Sequence, residues 1–307
     1  MNCYLCQIEI EDTNCSIEHI LPNCLGGKLK SKLLLCKSCN HDTSVYEKEL
    51  NKLASFFIVK NNIKRDRDGY HSPISAIDEE TGRAALFHSN GIATLTDSKV
   101  DIIDGELIIT SYNKKRALNE LSKVVKDLAS KGIKVDTSEM KVERQRNSED
   151  IRTLYYTPQV DHYFMMKAIL KIFINYFIHK GGNPNSVRKA IEYLKNINEL
   201  DHRYCNYYDK NLSKDFCANK PCHILILKNE KKEVKGYFEM FGKIGFIVVI
   251  STDYLGEDFQ WNYTYDPVTH TELQISYSFD EKVFDIFTYF LQKRDIDPNC
   301  LESLIQI

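Results

Sequence analysis

A chain of 307 residues, 43% hydrophobic and 27% charged, has material for one large globular domain or two modest ones. Its formal net charge of −2 excludes a strongly basic protein, so any nucleic-acid contact has to come from a local patch. Ten cysteines are spread too thinly over this length for a disulfide scaffold, so reduced thiols and metal binding are expected instead. No basic segment followed by an apolar one opens the chain as in a signal peptide. The longest apolar stretch, 163–178, is interrupted by Lys167, Lys171 and Asn175 and is too short and polar for a bilayer. The expected setting is the cytoplasm, with no membrane partner.

The first elements are two CxxC knuckles, Cys3/Cys6 and Cys36/Cys39, which enclose the run EHILPNCLGG. Each knuckle presents two thiolates from one tight turn, and two knuckles complete the tetrahedral shell of a structural Zn2+. Free buried thiols are the plainer alternative, and a zinc ribbon without catalysis is the rival at the level of function. Cys15 and Cys24 lack a CxxC partner and read as small packed residues. Between the knuckles Glu18 and His19 are adjacent: a carboxylate suits a hard divalent cation such as Mg2+ or Mn2+, and an imidazole takes a proton from water near neutral pH. Successive strand residues face opposite ways, so the pair is expected in a twisted or bulged hairpin closed by the Gly26-Gly27 turn. In isolation Glu18 and His19 would read as a surface ion pair. Asn40 follows the second knuckle at the start of the helical run SVYEKELNKLASFF, where its amide is either a second ligand of the cation or a helix cap. His41 and Asp42 follow, but successive helical side chains diverge, which places them off the cation site.

Residues 1–55 form a module too small to bury much apolar surface, which a metal staple would offset. Residues 56–307 are expected to form a larger α+β domain. Short β-branched runs between about 74 and 112 alternate with Asn-Gly and Asp-Gly turns and predict a meander of strands. An amphipathic helix follows from Lys114, with Leu118, Leu121, Val124, Val125 and Leu128 on one face and Gly132 as its stop. A helix apolar nearly all round spans about 163–178, and a third starts with Asn183 as cap and Pro184 in its first turn. Strands return in CHILILKN, EVKGYFEMFG, GFIVVIS and WNYTYDPVTHTELQISYS, and DEKVFDIFTYFLQKR predicts a closing helix. Segregated strand and helix groups favour α+β over a doubly wound sheet. Cys217, Cys222 and His223 lie beside a strand and read as core rather than as a metal cluster.

The segments CYLC and SIEHILPNCLGGKLKSKLLLCKSCN, with the helix after them, resemble the HNH (His-Asn-His) endonucleases of the ββα-metal fold. The resemblance covers the first fifth of the chain. It implies Glu18 as a ligand of the catalytic divalent ion, His19 as the general base and Asn40 as the ligand from the helix. It also implies Cys3, Cys6, Cys36 and Cys39 as the zinc set and the hydrolysis of DNA to a 5′-phosphate and a 3′-hydroxyl. The family's central asparagine has no counterpart, since Leu33 and Ser31 stand at the candidate offsets; this reads as a change in how the loop is supported.

Lys28, Lys30, Lys32 and Lys37 cluster around the Gly-Gly turn, where they would neutralise phosphates of double-stranded DNA, unless they form an ordinary solvated face. Lys114, Lys115, Arg116, Lys123 and Lys126 are a second candidate stripe. The expected function is a metal-dependent endonuclease, by analogy a restriction or phage-defence effector. The larger domain would select the target, sense a signal or mediate self-association as a homo-oligomer. The alternatives are a non-catalytic zinc-dependent nucleic-acid-binding module and a metal-bound adaptor for another protein.

Overall fold

The computed structural model describes residues 1–64, 71–80, 82–89, 91–96, 98–111, 113–138, 140–143, 153–199, 204–208 and 220–275. Contacts divide the chain into two units, one joining Met1–His71 with Pro158–Ile307 and the other comprising Ser72–Thr157.

The first unit begins with a short antiparallel hairpin, β1 (Glu18–His19) paired with β2 (Lys30–Ser31), followed by the long helix α1 (Lys37–Lys60). Between the strands, a 3-10 turn over Asn23–Leu25 ends at Gly26, whose φ of 80° lies in the left-handed region. A side chain at Gly27 would bring its Cβ within 2.0 Å of the Leu21 carbonyl oxygen, so the close chain reversal requires glycine. Helix α1 starts at Lys37 with Cys36 as its N-cap residue, which places Asn40 inside the helix and not at its cap.

The second unit holds β3 (Ile74–Asp78), β4 (Ala84–Phe87) and β5 (Ala93–Leu95), then the hairpin β6 (Lys99–Ile103) and β7 (Glu106–Thr110). Helix α2 (Lys114–Ser130) and the short strand β8 (Leu154–Tyr155) follow. The strands form a four-stranded antiparallel sheet in the order β5-β4-β3-β8 beside the separate β6-β7 pair. None of the residues of α2 is buried.

The first unit resumes with α3 (His162–His179) and with a 3-10 turn over Pro184–Val187, capped by the Asn183 side chain, that leads into α4 (Arg188–Lys195). The third helix thus opens in a tighter turn than its sequence predicts. Strands β9 (Cys205–Tyr208), β10 (His223–Glu230), β11 (Glu233–Met240), β12 (Ile244–Ser251), β13 (Phe259–Asp266) and β14 (Thr271–Leu273) make one antiparallel sheet ordered β14-β13-β10-β11-β12-β9. The closing helix expected at 280–294 lies outside the described residues. The architecture is α+β, with antiparallel sheets and an N-terminal cysteine cluster ahead of α1.

Helix α3 is buried on all sides because it packs against α1 and against β12 of the large sheet. Leu50, Leu53, Ala54 and Phe57 of α1 enter the same core as Ile169, Phe173 and Phe177 of α3 and Phe238 and Phe246 of the sheet. The expected boundary near residue 55 therefore falls inside α1, whose last apolar turns are in that core. Among the described residues no helix is long and apolar enough to cross a membrane.

The sheet also holds the loop after β1. The Tyr265 hydroxyl donates to the Gly26 carbonyl at 3.0 Å, and His223 Nε2 lies 3.0 Å from the Leu25 carbonyl while its Nδ1 accepts from the Phe241 amide at 3.4 Å. His223 is thus neutral with its proton on Nε2. Burial lowers its pKa from 6.5 to about 4. The unfolded chain takes up that proton more readily than the folded one, so the stability His223 contributes is present above pH 6.5 and lost as pH falls toward 4. Urea unfolding of parent and His223→Gln across that window should show the parent's stability falling more steeply with acid. Parallel curves would contradict the assignment.

Candidate metal centres and active site

Two turns bring the four knuckle sulfurs together. In the first, Gln7 adopts a left-handed φ of 64° and its amide donates to the Cys3 carbonyl at 2.8 Å, which folds Cys3 and Cys6 onto one side. In the second, Cys36 caps α1 and Cys39 lies in its first turn, where the Asn40 amide donates to the Cys36 carbonyl at 3.0 Å. The Tyr4 amide ties the first knuckle to the second through the Leu34 carbonyl at 3.2 Å.

All four sulfurs lie within 4.8 Å of one another, and Cys6 Sγ is 3.7 Å from Cys36 Sγ. A tetrahedral zinc with Zn–S bonds of about 2.3 Å has sulfur–sulfur edges of about 3.8 Å, so the cluster fits that ion. Burial and the three neighbouring thiols push the Cys39 thiol far above its ordinary range. Cys15 and Cys24 are half-buried and stand outside the cluster. Cys222 and His223 are buried in the sheet, and Cys217 lies outside the described residues.

Beside this cluster is an open cleft of about 350 Å³ whose lining includes Glu18, His19, Asn40, His41, Ser44 and Glu47. The three residues singled out from the sequence therefore share one cavity. Because β1 is only two residues long, Glu18 is buried and His19 half-buried, and both still line the cleft. His41 lines it as well, contrary to the expectation that helix geometry would turn it away. Of the four lysines near the glycine turn, Lys37 lines the cleft, with its Nζ donating to the Thr13 carbonyl at 2.9 Å. Lys30 and Lys32 are exposed and Lys28 half-buried.

Glu18 is 3% exposed and does not stand alone. Its Oε1 accepts from Lys171 Nζ at 2.9 Å and from Asn175 Nδ2 at 2.9 Å, both one turn apart on α3. Asn175 Oδ1 in turn accepts from the Tyr4 hydroxyl at 2.8 Å, next to the first knuckle. Lys171 Nζ also meets Glu47 Oε1 at 2.6 Å and Asn40 Oδ1 at 3.5 Å. The other end of the Asn40 amide donates to Ser16 Oγ at 2.6 Å, which fixes the carbonyl end toward the carboxylates. Burial raises the Glu18 carboxyl from 4.5 to about 6; the Lys171 charge opposes that rise and Glu47 adds to it. Burial works against the Lys171 charge, yet Glu47 and Glu18 hold its ammonium above the ordinary lysine range.

The oxygens of Glu18, Glu47 and Asn40 are the donor chemistry a hard divalent cation takes, and the half-buried imidazole of His19 opens on the same cleft. Glu47, Lys171 and Asn175 were not among the residues expected from the sequence. The sequence signal for the α3 pair was present: Lys167, Lys171 and Asn175 break an apolar helix at intervals of four, which aligns them on one face.

The segment of hairpin and helix α1 thus carries four clustered sulfurs and, at one cleft beside them, an acid, a histidine and an amide. Residues 3–49 match the family model described as HNH endonuclease. No curated protein and no solved structure matches the chain.

Replacing Cys39 by serine removes one ligand and should lose the zinc, lowering the thermal midpoint by about 10 °C or more. Elemental analysis and calorimetry of purified Cys39→Ser check this. A variant that retains one zinc per chain and the parent's midpoint would contradict Cys39 as a ligand of a structural zinc.

Proposed function

We propose that this protein is a metal-dependent HNH endonuclease that hydrolyses DNA phosphodiester bonds. The observation that carries the reading is the sharing of one cleft by Glu18, His19 and Asn40, within the segment that matches the HNH family and next to four sulfurs spaced for zinc. Glu18 and Asn40 would hold the divalent cation, Mg2+ or Mn2+. Once bound, that ion supplies positive charge against the phosphodiester and the departing 3′-oxygen.

The remaining work belongs to the chain. His19, as the neutral imidazole, removes a proton from the attacking water. Its neighbour Glu18 is fixed by Asn175, and Asn40 by Ser16, so the acid and the amide enter the reaction already oriented. Lys37 at the cleft, with Lys28, Lys30 and Lys32 on and around β2 before it, would meet phosphates of double-stranded DNA and make binding weaken with salt. Residues 56–307 would select the target, sense a signal or mediate self-association. Restriction or phage defence in the cytoplasm is the setting we propose, on the analogy of class alone.

One observation favours a second reading, a zinc-dependent nucleic-acid-binding module without catalysis: the ammonium of Lys171 already lies among the oxygens a cation would use. Plasmid DNA incubated with the protein, with and without added Mg2+ or Mn2+, separates the two. Nicked or linear products should form only with the divalent ion, and parallel reactions on single-stranded DNA and RNA define the substrate. Because general-base catalysis supplies roughly 10²- to 10⁴-fold, His19→Ala should cut slower by that order with zinc content and fold intact. A variant that cuts as fast as the parent would remove His19 from the mechanism.

A further inference from the structure

Lys171 lies on α3, more than a hundred residues beyond the segment that matches the family, yet its ammonium touches that segment's functional side chains. Three oxygens surround it, from Glu18, Glu47 and Asn40, at 2.9, 2.6 and 3.5 Å. All three residues also line the open cleft, whereas the lysine itself is 1% exposed. Glu47 lies seven positions after Asn40 on α1, two turns along the same helix face. The ion-free protein therefore already carries one bound cation at the point where these donors meet, and that cation is part of its own chain.

We propose that Lys171 is a resident counter-cation that competes with the divalent ion for this point, and that Glu47 joins Glu18 and Asn40 as a ligand when the ion displaces the ammonium. The inference rests on reading the cleft as a divalent-cation site. Charge balance drives the exchange: two carboxylates and one ammonium leave a residual negative charge, which a divalent ion in place of the ammonium removes. Donor chemistry runs the same way, since two carboxylates and an amide oxygen are hard ligands preferred by Mg2+ and Mn2+. The lysine stem has four rotatable carbons, so the ammonium leaves while the backbone of α3 stays packed. Until then the ammonium holds two carboxylates together that would otherwise repel across the cleft. Ion affinity is thereby set in part by α3, outside the nuclease segment, and any partner that shifts α3 changes it.

Titration of the full-length, zinc-loaded protein with Mn2+, followed by the electron paramagnetic resonance signal of the free ion, tests this without reference to cleavage. Lys171→Met should bind Mn2+ about tenfold or more tightly than the parent, and Glu47→Gln about tenfold more weakly. A Mn2+ site that Glu18→Gln abolishes but that is indifferent to Lys171→Met and Glu47→Gln, or that Lys171→Met weakens, overturns the exchange and leaves the nuclease reading standing. Absence of any Glu18-dependent Mn2+ site in the parent overturns both.

Should Lys171→Met fail to fold, acetylation of the parent read by peptide mass spectrometry decides the matter. Adding Mg2+ should raise labelling of Lys171 about tenfold, as expected for release from its carboxylates. Lys167, equally buried but held by the carbonyls of Tyr193 and Asn196, serves as the unchanged internal reference. Equal protection of Lys171 with and without Mg2+ overturns the proposal.

Discussion

The arrangement depends on a buried charge, the carboxylate of Glu18, and on the two α3 side chains that receive it. An isolated carboxylate away from water costs several kcal/mol, so Glu18 is tolerable there only because Lys171 and Asn175 both reach the same oxygen. That requirement couples two distant stretches of sequence. The hairpin presents the acid, α3 presents the ammonium and the amide, and α1 between them presents Glu47 and Asn40. The apolar contacts of α3 with α1 and with the sheet set the separation at which this network closes.

Two donor chemistries are kept apart in this small segment. Four soft sulfurs gather at the knuckles, suited to zinc, while carboxylate and amide oxygens gather at the cleft, suited to a hard ion. Tyr4 joins them: it follows Cys3 directly, and its hydroxyl donates to Asn175, which in turn orients Glu18. Order at the sulfur cluster thus reaches the acid through two side chains, Tyr4 and Asn175. On the opposite flank, His223 and Tyr265 fasten the loop carbonyls of Leu25 and Gly26 to the large sheet.

What the sequence could reveal was whatever depends on local spacing. CxxC knuckles announce the sulfur cluster because each is a single turn, and β-branched runs such as GFIVVIS announce strands because only a doubly covered sheet accommodates them. Glu18, His19 and Asn40 were legible as a set because the knuckles frame them. Lys171 and Asn175 were visible too, but only as polar interruptions of an apolar helix, since nothing local tells which distant carboxylate they will meet. Glu47 was hidden for a related reason: on an amphipathic helix its pattern is that of any solvated acid, and Lys171 of α3 gives it a partner. That the last apolar turns of α1 enter the shared core could not be read locally, since the partners they meet lie far along the chain.

The central claim is that side chains from the N-terminal segment and from the middle of the chain build one cation site beside a separate zinc site. Anomalous diffraction from crystals of the full chain grown with Mn2+, recorded at the zinc and manganese edges, tests it most directly. The account predicts a zinc peak among Cys3, Cys6, Cys36 and Cys39 and a manganese peak among the oxygens of Glu18, Asn40 and Glu47, with the Lys171 ammonium moved off that point. Manganese found elsewhere, or absent from a cleft where Lys171 still bridges the two carboxylates, would contradict it.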